Sequence, residues 1–303
     1  MNIVENTDQI PAVTKQGCCS SRRCKWWTVT AMLLAVAVLL QSKFDIIRKV
    51  GLSLFGPPQV AMKETFAGTS TTLPIDHSVL DSLLKQYVDS AGWVDYAGIR
   101  GDATRLDRYL QSVADADLNA LGRDDRLAFL INAYNAFTLK LIVEQKGIKS
   151  IKDIPSDQRW DAVRWNLAGT QVSLSGIEHQ LIRPNFTEPR IHFALVCAAI
   201  GCPPLRNEVY SGERLEEQLA EQARFVHSHS TWFQYDKENG VVQLTQLYDW
   251  YGSDFVQAKG SLMEFITANS PALKRDIADG KTPKIVWLDY DWTLNDISNR
   301  TKR

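Results

Sequence analysis

His192, Cys197 and Cys202 fall within one apolar stretch of fifteen residues, Ile191 to Leu205 (IHFALVCAAIGCPPL), so three side chains able to do chemistry share one local segment. Three kinds of chemistry fit these residue types. A cysteine serves as a nucleophile when its thiolate is supported by a nearby imidazole, because a free thiol is mostly protonated at neutral pH. Two cysteines five positions apart can instead form a disulfide, if a turn brings their Cα atoms within about 7 Å, or pack as small apolar groups. The three together could bind a metal, although their spacing matches none of the usual zinc patterns.

Backbone geometry discriminates among these readings. The run Ile191 to Cys197 is nearly continuous in apolar residues and bounded by Pro189 and Gly201, which predicts a buried strand. On such a strand His192 and Cys197 point to opposite faces and lie on the order of 16 Å apart. Cys202 follows Gly201 and precedes Pro203-Pro204, so a stiffened turn is positioned to return it toward either of them.

Other polar groups join the candidate site. Glu178-His179 opens a predicted short helix, where a carboxylate could orient an imidazole base. Asn132 and Asn135 interrupt the most apolar helix of the chain three residues apart, on neighbouring positions of one face. Buried amides must find partners, so they either bond backbone or line a polar pocket. Arg206, just after the proline pair, is a further substrate-binding candidate. Asp289, Asp291 and Asn295, and likewise Asp249 and Asp254, sit beside aromatic rings where they could do acid-base work or anchor turns.

The elements that must position these residues are readable from periodicity and punctuation. Helical spacing recurs from Asp76 through Tyr87 and again around Leu106 to Val113. Asp124 to Gln145 is apolar almost all round, with acids at its start and Gly147 beyond its end, and predicts a central buried helix. Residues 162–166 and 170–174 flank a hairpin turn in which Gly169 takes positive φ. A helix is predicted over Leu215 to His229, strands at Val241 to Leu244 and Lys284 to Leu288, and a helical region between those strands. Helices before and between strands, without a regular βαβ rhythm, give an α+β class.

The N-terminus departs from this globular pattern. Arg22, Arg23 and Lys25 precede an uncharged run, Trp26 to Leu40, headed by two tryptophans, the signature of a membrane-targeting segment. About 25 residues precede the run and no small-residue cleavage site follows it, so an uncleaved anchor is expected. That organises the chain as a cytoplasmic tail (1–25), a transmembrane anchor (26–42), a linker (43–74) and an α+β domain (75–303) on the non-cytoplasmic side. Over the whole chain 34 Lys and Arg balance 35 Asp and Glu, and there is no arginine-rich arm, which argues against nucleic acid as a partner.

Taken together, FLINAYN (129–135), IEH (177–179), RIHFALVC (190–197) with GCPPL (201–205), WYGSDF (250–255) and LDYDW (288–292) resemble the domain of unknown function 547 family over about residues 75 to 296. The resemblance extends more distantly to papain-like and transglutaminase-like thiol enzymes, and implies thiol chemistry. The resulting expectation is a buried central helix packed on a small, mostly antiparallel sheet, preceded by the transmembrane helix. Cys202 is the expected nucleophile, His192 or His179 the base and Glu178 its partner, with Asn132, Asn135, Cys197 and Arg206 around the substrate. No cofactor or metal is expected; the expected partners are the membrane and a peptide or protein. The competing expectation is a non-catalytic envelope binding domain stabilised by a Cys197–Cys202 disulfide.

Overall fold

The helix that the sequence marks most strongly organises the fold. In the computed structural model, which describes residues 57–66 and 75–302, Arg123–Glu144 is helical and buries nearly every side chain from Leu127 to Val143. Asp124 and Asp125 stand in its first turn, where the helix dipole favours negative charge. It is the one described helix long and apolar enough to cross a membrane, and its burial makes it core. The chain divides into two units, Met1–Gly56 and Pro57–Arg303, of which the second carries the described elements. The expected tail (1–25) and anchor (26–42) lie outside the described residues.

In chain order the helices are α1 (Ser78–Tyr87), α2 (Tyr96–Gly101), α3 (Ala103–Ala114), α4 (Arg123–Glu144), the single turn α5 (Leu174–Gly176), α6 (Leu215–Ser228), α7 (Leu247–Trp250), α8 (Gly252–Lys259), α9 (Leu262–Asn269) and α10 (Pro271–Ala278). The strands are β1 (Trp165–Leu167), β2 (Thr170–Val172), β3 (Phe233–Asp236), β4 (Val241–Leu244) and β5 (Lys284–Trp287). β1 and β2 form a two-stranded hairpin, with Ala168 and Gly169 both at positive φ in its turn. The second sheet is mixed: β4 pairs antiparallel with β3 and parallel with β5. The class is therefore α+β, as the sequence predicts. The main neighbours of α4 are α2, α3, α5 and irregular helical turns, while Phe137 stacks on Trp165 of the hairpin at 4.9 Å. The central helix is thus set mainly among helices, and the three-stranded sheet belongs to a different core.

Two apolar cores result. The larger surrounds α4 and takes in Leu83, Tyr109, Phe129, Phe186 and Leu195. The smaller joins β3 and β4 to α6 through α10, with Phe193, Trp232, Tyr248, Phe255 and Phe265 at its centre. The stretch that carries the histidine and cysteines serves both: Ile191 and Ala194 belong to the larger core, while Phe193 between them inserts into the smaller. That segment is the main departure from expectation. Pro189–Phe193 is a 3₁₀ turn rather than a strand, started by Glu188, whose carboxylate accepts the Arg190 N–H. A short, continuously apolar run reports burial and not backbone type, and a proline at the first helical position favours a helical start.

Part of the expected linker also lies on the domain. Arg183 donates to the Pro58 carbonyl at 2.8 Å, Gln257 bonds Val60 and Met62, and Glu64 pairs with Arg123 at 3.0 Å. Phe66 packs on Phe186 and beneath the Arg126 guanidinium. Residues 57–66 therefore form a strap across α8 and the start of α4.

His227 in the smaller core gives a pH test of this packing. Its Nδ1–H donates to Ala223 O at 2.7 Å, and its Nε2 accepts the Tyr248 hydroxyl at 2.7 Å, which satisfies the neutral ring. Burial pushes its pKa down to about 4. Because the unfolded ring takes up a proton near pH 6.5, stability from this residue is complete above that pH and is lost as pH falls toward about 4. Urea unfolding followed from pH 7 to 4 should show this decline, and a His227→Gln variant should lose that part of the slope.

Candidate functional site

Glu178 and His179 occupy an unusual backbone. Ile177–Ile182 is π-helical, continuing α5, and the Arg183 N–H donates to the Glu178 carbonyl five residues back. The wider turn places Glu178, His179 and Arg183 against His192 of the 3₁₀ turn; π-turns of this kind recur at functional sites. His192 Nε2 lies 2.9 Å from Asp254 Oδ2, and its Nδ1 lies 3.9 Å from Glu178 Oε1. The ring stacks on Tyr251 with centroids 3.7 Å apart, and burial, with the Glu178 charge beside it, raises the Tyr251 hydroxyl well above its ordinary value.

Arg183 completes this cluster. It meets Asp254 in a two-pronged ion pair, Nε to Oδ2 at 2.7 Å and Nη2 to Oδ1 at 2.9 Å, with both side chains essentially inaccessible. Its third nitrogen, Nη1, donates to His179 Nδ1 at 3.1 Å. Arginine can only donate, so His179 Nδ1 is unprotonated and its ring proton sits on Nε2. Burial accordingly lowers the His179 pKa. Burial would raise the Asp254 carboxyl, but the bonds from Arg183 and His192 hold it far below the usual carboxylate range.

The cysteines form an adjoining cluster. Cys197 N–H donates to Cys202 Sγ at 3.2 Å, the Cys202 thiol faces the Leu195 carbonyl at 3.9 Å, and the Tyr290 hydroxyl lies 3.0 Å from Cys197 Sγ. Both are free thiols, Cys202 buried and Cys197 partly exposed. The Cys197 thiol, the Cys197 N–H and the Tyr290 hydroxyl together pull the Cys202 pKa below its ordinary value, against burial and the Glu178 charge. The Cys197 thiol is correspondingly pushed up, first by its bond to Cys202 and then by burial. Burial raises the Tyr134 hydroxyl on α4 well above its ordinary value, and the charges of Glu178 and the two thiols add to it.

The backbone that brings the sulfurs together is held from both sides. Asn135 donates to Ala194 O at 2.9 Å and accepts from Val196 N–H at 3.0 Å. Ala198 adopts φ 59°, a left-handed turn that a residue with a Cβ rarely takes. Beyond it, Ile200 and Gly201 N–H bond the carbonyls of Thr293 and Asp291 at 2.8 Å. A Cβ on Gly201 would come within 3.0 Å of the Tyr290 ring and 2.8 Å of Asp291 N, so glycine here permits Tyr290 to reach the thiols. Partly exposed Trp250 and Trp292 pack on Tyr290 at 4.9 and 4.6 Å, and Lys152 lies 3.9 Å over Trp292. The thiols thus border an aromatic rim.

Each expected site residue can now be placed. Cys197 and Cys202 come together, as do Glu178, His179 and His192. His192 is not paired with a thiol: its ring nitrogens face the carboxylates of Asp254 and Glu178. The strand-parity separation of His192 from Cys197 lapses with the strand. Asn132 is a backbone clamp, bonding both the N–H and the C=O of Tyr210 at 2.9 and 2.8 Å. Arg206 is engaged by Glu208 and by Glu221 at 2.7 Å, in a surface ion network apart from the thiols. In place of the alternative Cys197–Cys202 disulfide the structure has two free cysteines, with the Cys197 N–H bonded to Cys202 Sγ. Sequence reasoning missed Tyr290, Tyr134 and Arg183. The aromatic stretch from Trp287 to Trp292 was the only signal for Tyr290, and Arg183 had none.

Among the described residues no group of three or more His, Cys, Asp or Glu side chains converges to hold a metal ion. A cleft of about 520 Å³ lies between the start of α1 and the loop at Val209–Glu213, lined by Asp76, His77, Asp81, Asp125 and Glu213 and by none of the site residues.

Residues 118–226 match the family described as Protein of unknown function, DUF547. This segment is a DUF547 family domain. The match contains both thiols, Glu178, His179, Arg183 and His192, while Tyr251, Asp254 and Tyr290 lie C-terminal to it. No curated protein and no solved structure matches the chain.

Proposed function

We propose that this DUF547-containing unit is a thiol-dependent hydrolase or acyl/amide transferase acting on peptide or similar substrates, with Cys202 as its nucleophile. It is held at a membrane by the apolar N-terminal run and faces the non-cytoplasmic side. The observation that carries the reading is the hydrogen bond from the Cys197 N–H to Cys202 Sγ at 3.2 Å, in surroundings that hold the Cys202 thiol below its ordinary value and so favour the thiolate. A thiolate prepared in this way needs no imidazole to remove its proton. His192 and His179 then act as positioning residues that hold Glu178, Arg183 and Tyr251 beside the thiols.

The chemistry follows from these positions. The Cys202 sulfur attacks a carbonyl carbon, forming a thioester as the bond to the leaving amine or alcohol breaks; the leaving group takes the Cys197 thiol proton. Water or a second amine then attacks the thioester and gives up a proton to Cys197, the C–S bond breaks, and the Cys202 thiolate and Cys197 thiol are both restored. Tyr290, whose pKa burial raises well above the ordinary value, stays protonated as a hydrogen-bond donor to sulfur. Substrate reaches Cys202 past partly exposed Cys197 and the rim of Trp250, Tyr290 and Trp292.

The full chain, reduced and treated with an activated acyl ester, should carry a thioester on Cys202, identified by peptide mass spectrometry and discharged by hydroxylamine. Iodoacetamide labelling of Cys202 should persist well below the free-thiol value of about 8.5. Absence of any acyl adduct, or an adduct confined to Cys197, would overturn the assignment.

A further inference from the structure

We infer that Cys197 and Cys202 also form a dithiol–disulfide couple that exchanges with disulfide-bonded substrates, a redox activity separate from acyl transfer although it uses the same pair. Three observations carry it. Cys202 Sγ accepts the Cys197 N–H at 3.2 Å, so it already lies against the other cysteine's own backbone and a bond between the sulfurs requires no large chain movement. The Tyr290 hydroxyl lies 3.0 Å from Cys197 Sγ, placed to steady that sulfur as it gives up its proton. Their exposure is asymmetric, Cys197 partly open beside the aromatic rim and Cys202 only 5% exposed. That asymmetry suits an attacking and a resolving thiol.

The steps balance without any other reagent. Cys197 gives its proton to the Cys202 thiolate as its sulfur attacks one sulfur of the substrate disulfide. The substrate S–S bond breaks, and the departing sulfur leaves as a thiolate that takes up the proton from Cys202. Cys202 then attacks Cys197 Sγ, the mixed disulfide breaks, and the second substrate thiol is released. The substrate disulfide is reduced by two electrons and the pair is oxidised to Cys197–Cys202. The loop is held along its length, by Asn135 at Val196, by Asn295 at Ala198 and by Thr293 and Asp291 at Ile200 and Gly201, which keeps the two cysteines together through the exchange.

The test uses the reduced full chain with oxidised glutathione as probe. The wild type should lose two hydrogens by mass and yield a Cys197–Cys202 linked peptide, with reduced glutathione released. Cys202→Ser should stop at a stable glutathione adduct on Cys197, whereas Cys197→Ser should accumulate at least tenfold less adduct at equal time. Circular dichroism establishes that each variant is folded, with Cys202→Ala substituted if the serine is not. A wild type that remains a dithiol in excess oxidised glutathione, or an adduct that gathers first on Cys202, would overturn the inference. Acylation of Cys202 is read separately: thioester formation without exchange refutes this inference alone, and exchange without thioester formation refutes only the acyl-transfer reading.

Discussion

Replacing Asp254 with alanine should lower the unfolding free energy by about 3–5 kcal/mol, the cost of breaking a buried ion pair from one side. Asp254 is fully buried, takes two bonds from Arg183 and faces His192 Nε2 at 2.9 Å. Without it the Arg183 guanidinium, itself 1% exposed, keeps its bonds to Pro58 O and His179 but loses the anion it pairs with. A paired Arg183→Met, Asp254→Leu replacement should cost less than either single change, because no unmatched charge remains inside.

The same pair dictates an acid limb. The Asp254 carboxyl is held below its unfolded value, so its contribution is complete above pH about 4 and is lost as pH falls below that. Urea midpoints measured between pH 6 and 2 should drop for the wild type and flatten in the double variant. Equal acid sensitivity in both would show that this carboxylate is not the group responsible.

Asn135→Ala should cost about 2–6 kcal/mol, since it strips partners from a buried N–H and a buried C=O, each about 1–3 kcal/mol when unsatisfied. The larger consequence is chemical. Asn135 fixes Ala194 and Val196, the residues leading into Cys197, and through them the N–H that supports the Cys202 thiolate. The pH midpoint for Cys202 alkylation should therefore rise by about one unit, a tenfold loss of thiolate below it. Asn132→Ala is the control. It removes a comparable pair of backbone bonds, but at Tyr210, so stability should fall while the alkylation midpoint stays. A midpoint shift in both variants would mean that general loosening, not the Val196 clamp, sets the thiol's behaviour.

Much of the fold was legible because its signals are local. Helix α4 runs over Arg123–Glu144 against an expectation of 124–145, and α6 ends one residue before its expected limit. β4 occupies Val241–Leu244 as expected, and Gly169 takes the positive φ predicted for the hairpin turn. Periodicity, caps and turn glycines act over a few residues, so they survive whatever the rest of the chain does. The stretch at 191–197 failed for the complementary reason. Its uniform apolarity reported burial between two cores, and a proline start with an Asn135 clamp, absent from the local pattern, decided that it turns.

The amino-acid sequence by itself determined the α+β class, the central helix, the family resemblance and the presence of two thiols, two imidazoles and a carboxylate within 25 residues, from Glu178 to Cys202. Only the tertiary structure decided which of them meet. Tyr290 joins Cys197 across 93 residues, Asp254 joins His192 across 62, and Arg183 joins Asp254 across 71. Such partners are chosen by how two cores pack against a shared segment and by the requirement that every buried charge be paired. For that reason His192 faces carboxylates rather than a thiol, and the thiols face each other and a tyrosine.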